Sequence, residues 1–224
     1  MNKRFLQGAL TWIFFAVAAL DLIGVGLGLS WMEFAFKPLI MISLLLLYLV
    51  SSASRNKLYI AALIFSLLGD LFLLDKNDLF LFGVGAFLIT QLLYIIMVRR
   101  DSVGLYKKGI LGAAIPFIIY LLALMSLLAP NLDSLFYPVL IYGMVISLFG
   151  ITALQNYLLR RDFASRILLL GALLFIASDS MIAINKFYEP HMLYPVAIML
   201  TYALAQYFIY VYVITTEEAE SEKG

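Results

Sequence analysis

Apolar residues run along this chain in eight long blocks, separated by short clusters of charge, proline and glycine. The blocks cover residues 5–27, 37–52, 58–74, 79–98, 108–128, 134–157, 165–184 and 192–215. Most hold about 17–24 residues, the length a bilayer core asks of a helix. The second block is short and opens at Pro38, where proline is welcome because a first-turn N–H is unpaired in any case. The N-terminal Met-Asn-Lys-Arg followed by an apolar run resembles a signal peptide. That run is long for one and ends at no convincing small-residue cleavage site, so it reads as the first helix. The pattern predicts an all-α, polytopic membrane protein: one domain of eight transmembrane helices, residues 1–215, and a short, solvated acidic tail, 216–224.

Charge gives the blocks an orientation. Lys3, Arg4, Arg55, Lys57, Arg99, Arg100, Lys107, Lys108, Arg160, Arg161, Arg166 and Lys223 fall on one side; only Lys37, Lys76 and Lys186 fall on the other. Cytoplasmic loops carry the excess of Lys and Arg, so both termini are expected in the cytoplasm, at the inner membrane in a bacterium. Composition agrees, with 64% hydrophobic and 13% charged residues against about 25% charged in soluble domains, and a mean hydropathy of +1.02. With a net charge of +1 and no soluble domain, a nucleic-acid partner is not expected. The absence of cysteine excludes disulfides, thiol nucleophiles and thiolate metal sites. A single histidine, His191 in a predicted loop, excludes a multi-histidine centre. No metal and no cofactor are expected.

Two aspartates interrupt the apolar runs, Asp70 in the third block and Asp179 in the seventh. An ionisable group inside a bilayer costs roughly 2.5–3.5 kcal/mol on insertion scales, so it is rare without a task. Both lie four to five residues from the predicted outer ends of their helices. Asp21, Lys37 and Lys186 belong to outer ends too, while Gln91 and Gln206 sit nearer mid-membrane. Ser66 and Asp70 are i,i+4, as are Tyr202 and Gln206; Gln91 and Tyr94 are i,i+3, so each pair shares a helix face. Asp179 and Lys186, seven apart, also share one. A polar pocket in the outer half of the bilayer is predicted, with glutamines at its floor and lysines at its mouth. Each residue has an ordinary alternative. The carboxylates can bond across packed helices, the lysines can snorkel to headgroups, and the glutamines can join helices. Asp21 can cap a helix end. Tyr142, Tyr188 and Tyr194 read as interface or core residues.

The halves echo one another. Pro38, Asp70 and Gln91 recur in order as Pro138, Asp179 and Gln206, on blocks four apart, which suggests two parallel four-helix repeats.

Several short motifs are similar to those of one family. They are Lys37-Pro38; Phe65-Ser66-Leu67-Leu68-Gly69-Asp70; Phe82-Gly83 followed by Phe87, Gln91 and Tyr94; Pro138 with Tyr142; GALLFIASD ending at Asp179; and Thr201-Tyr202 with Ala205-Gln206. This ordered set, spanning helices 2 to 8, resembles the YhhN family of membrane proteins, whose characterised members are lysoplasmalogenases. The resemblance implies an eight-helix hydrolase that cleaves the vinyl-ether bond of a lysophospholipid, releasing a fatty aldehyde and a glycerophospho-alcohol. One position departs: Gln91 stands where the family pattern suggests histidine, so a histidine relay is not carried over.

The chemistry is compatible with the residues. Vinyl-ether hydrolysis begins with proton transfer to the β-carbon, gives an oxocarbenium ion, and ends with water addition and hemiacetal collapse. Two carboxylates can supply the proton, the countercharge and the base, as they do for the similar cation in glycoside hydrolysis. Asp70 and Asp179 are therefore the candidate acid/base pair, with Asp179 preferred as the acid. Lys37 and Lys186 are candidates for the phosphate; Ser66, Gln91, Tyr94, Tyr202 and Gln206 for orienting water and the glycerol hydroxyl. The competing readings are a proton-coupled transporter, which also places paired carboxylates at membrane depth, and a non-catalytic lipid-binding protein.

Overall fold

A lipid-embedded backbone must satisfy its own hydrogen bonds, so each apolar block closes into a helix. The computed structural model describes residues 3–75, 78–100 and 110–221. Lys76, Lys107, Lys108 and Lys223, used above to orient the chain, lie outside them, as does the end of the acidic tail. The described residues form eight α-helices: α1 (Lys3–Gly26), α2 (Ser30–Ser51), α3 (Lys57–Leu74), α4 (Phe80–Arg100), α5 (Ile110–Leu128), α6 (Phe136–Arg160), α7 (Phe163–Phe187) and α8 (Tyr194–Ser221). Each is long and apolar enough to cross a bilayer, as an integral membrane protein requires. Consecutive helices run antiparallel. The starts of odd-numbered helices and the ends of even-numbered ones therefore share a face, marked by Arg55, Lys57, Arg99, Arg100, Arg160 and Arg161 and called the basic face below.

Helix α1 packs on α2, α2 on α3 and α3 on α4; the same relations recur as α5 on α6, α6 on α7 and α7 on α8. Across the halves, α4 against α6 has its counterpart in α8 against α2. This is the neighbour pattern that two four-helix repeats would produce. It is incomplete, because α1 also lies against α8, whereas α5 stands at the edge against α6 and α7. Large apolar side chains cover the outside, among them Trp12, Phe34, Ile119 and Leu122. The interior is filled by Phe14, Leu44, Tyr59, Tyr94, Phe149 and Phe175.

Most helix limits shift by one to three residues from the sequence expectation, and three differences have a physical reason in the structure. α2 begins at Ser30, not at Pro38, which lies inside the helix. The apolar residues before it are helix-competent, and an interior proline in a membrane helix forfeits a bond that its neighbours can re-satisfy. α7 begins earlier, at Phe163, because Asp162 caps it by accepting the Ser165 N–H at 2.8 Å. Burial opposes the charge on Asp162, but its bonds to Ser165 and its ion pair with Arg160 outweigh this and hold its carboxyl below the ordinary range. α8 continues past Thr215 to Ser221, so the first two thirds of the expected solvated tail is helical. Tyr48 explains why. Its hydroxyl donates to Glu217 Oε1 at 2.6 Å and accepts the Asn56 N–H at 2.7 Å, fastening the end of α8 to the α2–α3 turn.

Candidate functional site

Helices α4, α6 and α7 meet around Asp179. Tyr142 donates its hydroxyl to Asp179 Oδ2, and Gln91 Nε2 donates to the same oxygen at 3.1 Å and to the Tyr142 oxygen at 2.8 Å. Among the described residues nothing bonds Oδ1. Next to it, the Ser180 hydroxyl lies 2.8 Å from that of Tyr120 on α5. Asp179 and Tyr142 line a cavity of about 50 Å³, otherwise walled by apolar side chains including Leu73, Phe80, Val84 and Phe87. One oxygen of the carboxylate is thus fixed by two donors, and the residue lines an apolar space.

Asp70 is set differently. It is 2% exposed, and its Oδ2 accepts the Tyr202 hydroxyl at 2.8 Å. One turn deeper, Gln206 ties α3 to α4: its Oε1 accepts from Tyr94 at 2.7 Å and its Nε2 donates to Ser66 at 3.0 Å. Ser66 in turn bonds Thr90 at 3.3 Å. The polar atoms of Ser66, Tyr94 and Gln206 are engaged with one another.

Between the two networks stand three rings. Phe87, Phe175 and Tyr202 contact one another edge-to-face at centroid distances of 5.7–6.1 Å. Phe87 lines the Asp179 cavity and packs on Gly69, where a Cβ would lie 2.7 Å from its Cε2, so only glycine leaves room for the ring. The carboxylates remain within electrostatic reach of each other.

The two lysines sit toward the end opposite the basic face. Lys37 lies within electrostatic reach of Asp70 and of Asp21. Asp21 does not cap a helix end. It is fully buried in the interior of α1, and among the described residues neither carboxylate oxygen has a hydrogen-bond partner. Lys186 is exposed, its Nζ 4.3 Å from the Phe80 ring centroid. It lines a pocket of about 250 Å³ with Glu33 and Asn185. This pocket shares Leu73, Phe80 and Ile182 with the Asp179 cavity, so the two are neighbours.

The structure therefore brings Gln91 to Asp179, Tyr202 to Asp70, and Ser66, Tyr94 and Gln206 to one another, in two networks rather than one glutamine-floored pocket. Tyr142, read from sequence as interface or core, is a direct partner of Asp179. Its place four residues after Pro138 was the available signal. His191 stays in a loop, its Nδ1 accepting the Leu193 N–H at 3.2 Å.

A model of the YhhN family matches residues 32–213. The chain is 30% identical over 179 residues to "Lysoplasmalogenase TMEM86A" of Bos taurus, covering 76% of this chain and 70% of that protein. It is 30% identical over 176 residues to the Homo sapiens protein of the same name, with the same shares covered. No solved structure matches significantly.

Proposed function

Because this chain belongs to the YhhN family, we propose that it is a membrane-embedded hydrolase cleaving the vinyl-ether bond of lysoplasmalogens. The observation that carries the reading is Asp179, which lines an apolar cavity while Tyr142 and Gln91 hold one of its two carboxylate oxygens. A protonated Asp179 donates to the β-carbon of the vinyl ether. The π electrons form the new C–H bond and the ether oxygen stabilises the adjacent cation. Water adds to that carbon, and the hemiacetal releases the aldehyde and the glycerophospho-alcohol. Asp70 supplies the second negative charge beside the cation and acts as the base for water. Phe87 is the side chain that must turn to admit water to it. Ser66, Tyr94 and Gln206 position α3, α4 and α8, while Tyr202 and Gln91 orient the carboxylates. Lys186 and Lys37 attract the phosphate from the outer pocket, and the basic face lies in the cytoplasm.

The test incubates purified protein with a vinyl-ether lysolipid and with its saturated ether analogue, and measures aldehyde. Release from the first alone is expected, and Asp70→Asn and Asp179→Asn should each lower kcat by about 10²–10⁴-fold. Near-normal turnover in both variants would overturn the carboxylate mechanism. No release at all, with proton-driven uptake into liposomes, would mark a carrier instead.

A further inference from the structure

Asp179 lines two spaces. The second, of about 30 Å³, is walled by residues that include Tyr142, Tyr120, Ser180 and Val139. Tyr120 also lines a groove of about 300 Å³ between α5, α6 and α7, whose other walls are Pro116, Phe117, Leu154, Leu169, Leu173 and Ile176. Apart from the Tyr120 hydroxyl, which is engaged with Ser180, no side chain in that groove is polar. It opens on the lipid side, where Leu173 is 44% exposed beside Ile115, Ile119 and Leu122 of the edge helix α5. Leu169 precedes Asp179 by ten residues, so the groove descends about 15 Å from the carboxylate toward the basic face, at 1.5 Å of rise per residue.

A lysolipid hydrolysed beside Asp179 has a polar headgroup on one side of the reacting bond and a long hydrocarbon on the other. The outer pocket carries polar side chains for the first, Glu33, Asn185 and Lys186, on otherwise apolar walls, whereas the groove is apolar apart from the Tyr120 hydroxyl. Building on the hydrolase reading, we propose that the hydrocarbon chain of the substrate passes Tyr120 and lies in the α5–α6–α7 groove. The aldehyde product then leaves sideways into the bilayer. The order of spaces (outer pocket with the charged side chains Glu33 and Lys186, Asp179 cavity, Tyr120, apolar groove) is the order of chemical groups along such a lipid. What separates this groove from an ordinary lipid-facing crevice is that Tyr120 is a wall both of it and of the small space at Asp179.

The experiment uses a saturated-ether lysolipid, which cannot be cleaved, carrying a diazirine at the end of its chain. After photolysis in the full-length protein, label that excess unmodified analogue competes away should map to Phe117, Leu154, Leu169 or Leu173. Competed label on Val25, Ile198 or Met199 of the outer pocket, or none on α5–α7, overturns the proposal. Leu173→Trp, which fills the groove, should lower the ratio of kcat/KM for long-chain over short-chain vinyl ethers at least tenfold. A ratio within twofold of the wild type also overturns it, and being a ratio it is insensitive to partial loss of folded protein. Aldehyde release by the wild type is measured separately. Its absence refutes the hydrolase reading while leaving the mapping intact; release with label elsewhere refutes the groove alone.

Discussion

Replacing Tyr142 with phenylalanine deletes a single oxygen from the Asp179 network. The ring keeps its place beside Val139, and the substitution creates no cavity larger than a hydroxyl. What is lost is one of two donors on Asp179 Oδ2; Gln91 Nε2, at 3.1 Å, is the other. A hydrogen bond to a charged group is worth about 1.5–3 kcal/mol. If the carboxylate left after proton transfer is held by that bond, the full amount is lost from the transition state. At about 1.4 kcal/mol per tenfold in rate, kcat for a vinyl-ether lysolipid should fall by about 10- to 150-fold. KM should stay within about threefold, since Tyr142 binds the carboxylate and not the headgroup. Aldehyde release under saturating substrate measures this, alongside a thermal melt in detergent to confirm folding. Gln91→Leu should behave similarly. The double variant should lose less than the product of the two, because both donors serve one oxygen. A Tyr142→Phe enzyme with kcat within twofold of the wild type would refute the assignment of Asp179 as the proton donor held by Tyr142.

Two further predictions concern the scaffold. In Gly150→Ala the new Cβ would lie 2.2 Å from Phe117 Cε1. The displaced ring should destabilise the protein by about 1–3 kcal/mol, seen as a melting point lowered by roughly 2–10 °C; an unchanged melt would show that α5 yields freely. Asp162→Asn keeps the helix cap but removes the charge. Because the folded carboxyl lies below its ordinary range, its contribution is present above the unfolded pKa of about 3.9 and is lost as pH falls through the folded value. The wild type should melt above the variant near neutral pH and the gap should close on acidification below about pH 4. It should be no more than about 3 °C, since the Asp162 side chain is 41% exposed and such pairs contribute at most about 1 kcal/mol. A gap that does not shrink as pH falls from 7 to 2 would refute the charge argument.

The eight helices were legible because lipid imposes a length and a hydropathy that few other constraints imitate. Asp70 and Asp179 were legible for the same reason, as departures from that hydropathy. Partnership was not. Gln91 meets Asp179 across 88 residues and Tyr202 meets Asp70 across 132, and nothing local encodes which helix lies opposite which. Tyr142 was misread because membrane tyrosines commonly sit at interfaces, and its hydroxyl is half-hidden between helices. Asp21 was misread because its nearness to a predicted helix end suggested a cap. Packing of α1 on α2 instead buries it near Lys37. Pro38 was given too much authority as a helix start, since an interior proline is tolerated where neighbours shield the freed carbonyl.

The Tyr202 bond to Asp70 and the Gln206 bonds to Ser66 and Tyr94 all come from α8, which follows the other seven helices in the chain. While the protein is being made, α3 and α4 must wait in the membrane with a carboxyl and a tyrosine whose α8 partners have not yet been translated. The Tyr48 clasp on Glu217 closes later still. A nascent chain halted before α8 is therefore an intermediate with exposed intramembrane polar groups, the kind of species that membrane chaperones and proteases recognise. Maturation of the site and escape from quality control become a single event, the docking of α8.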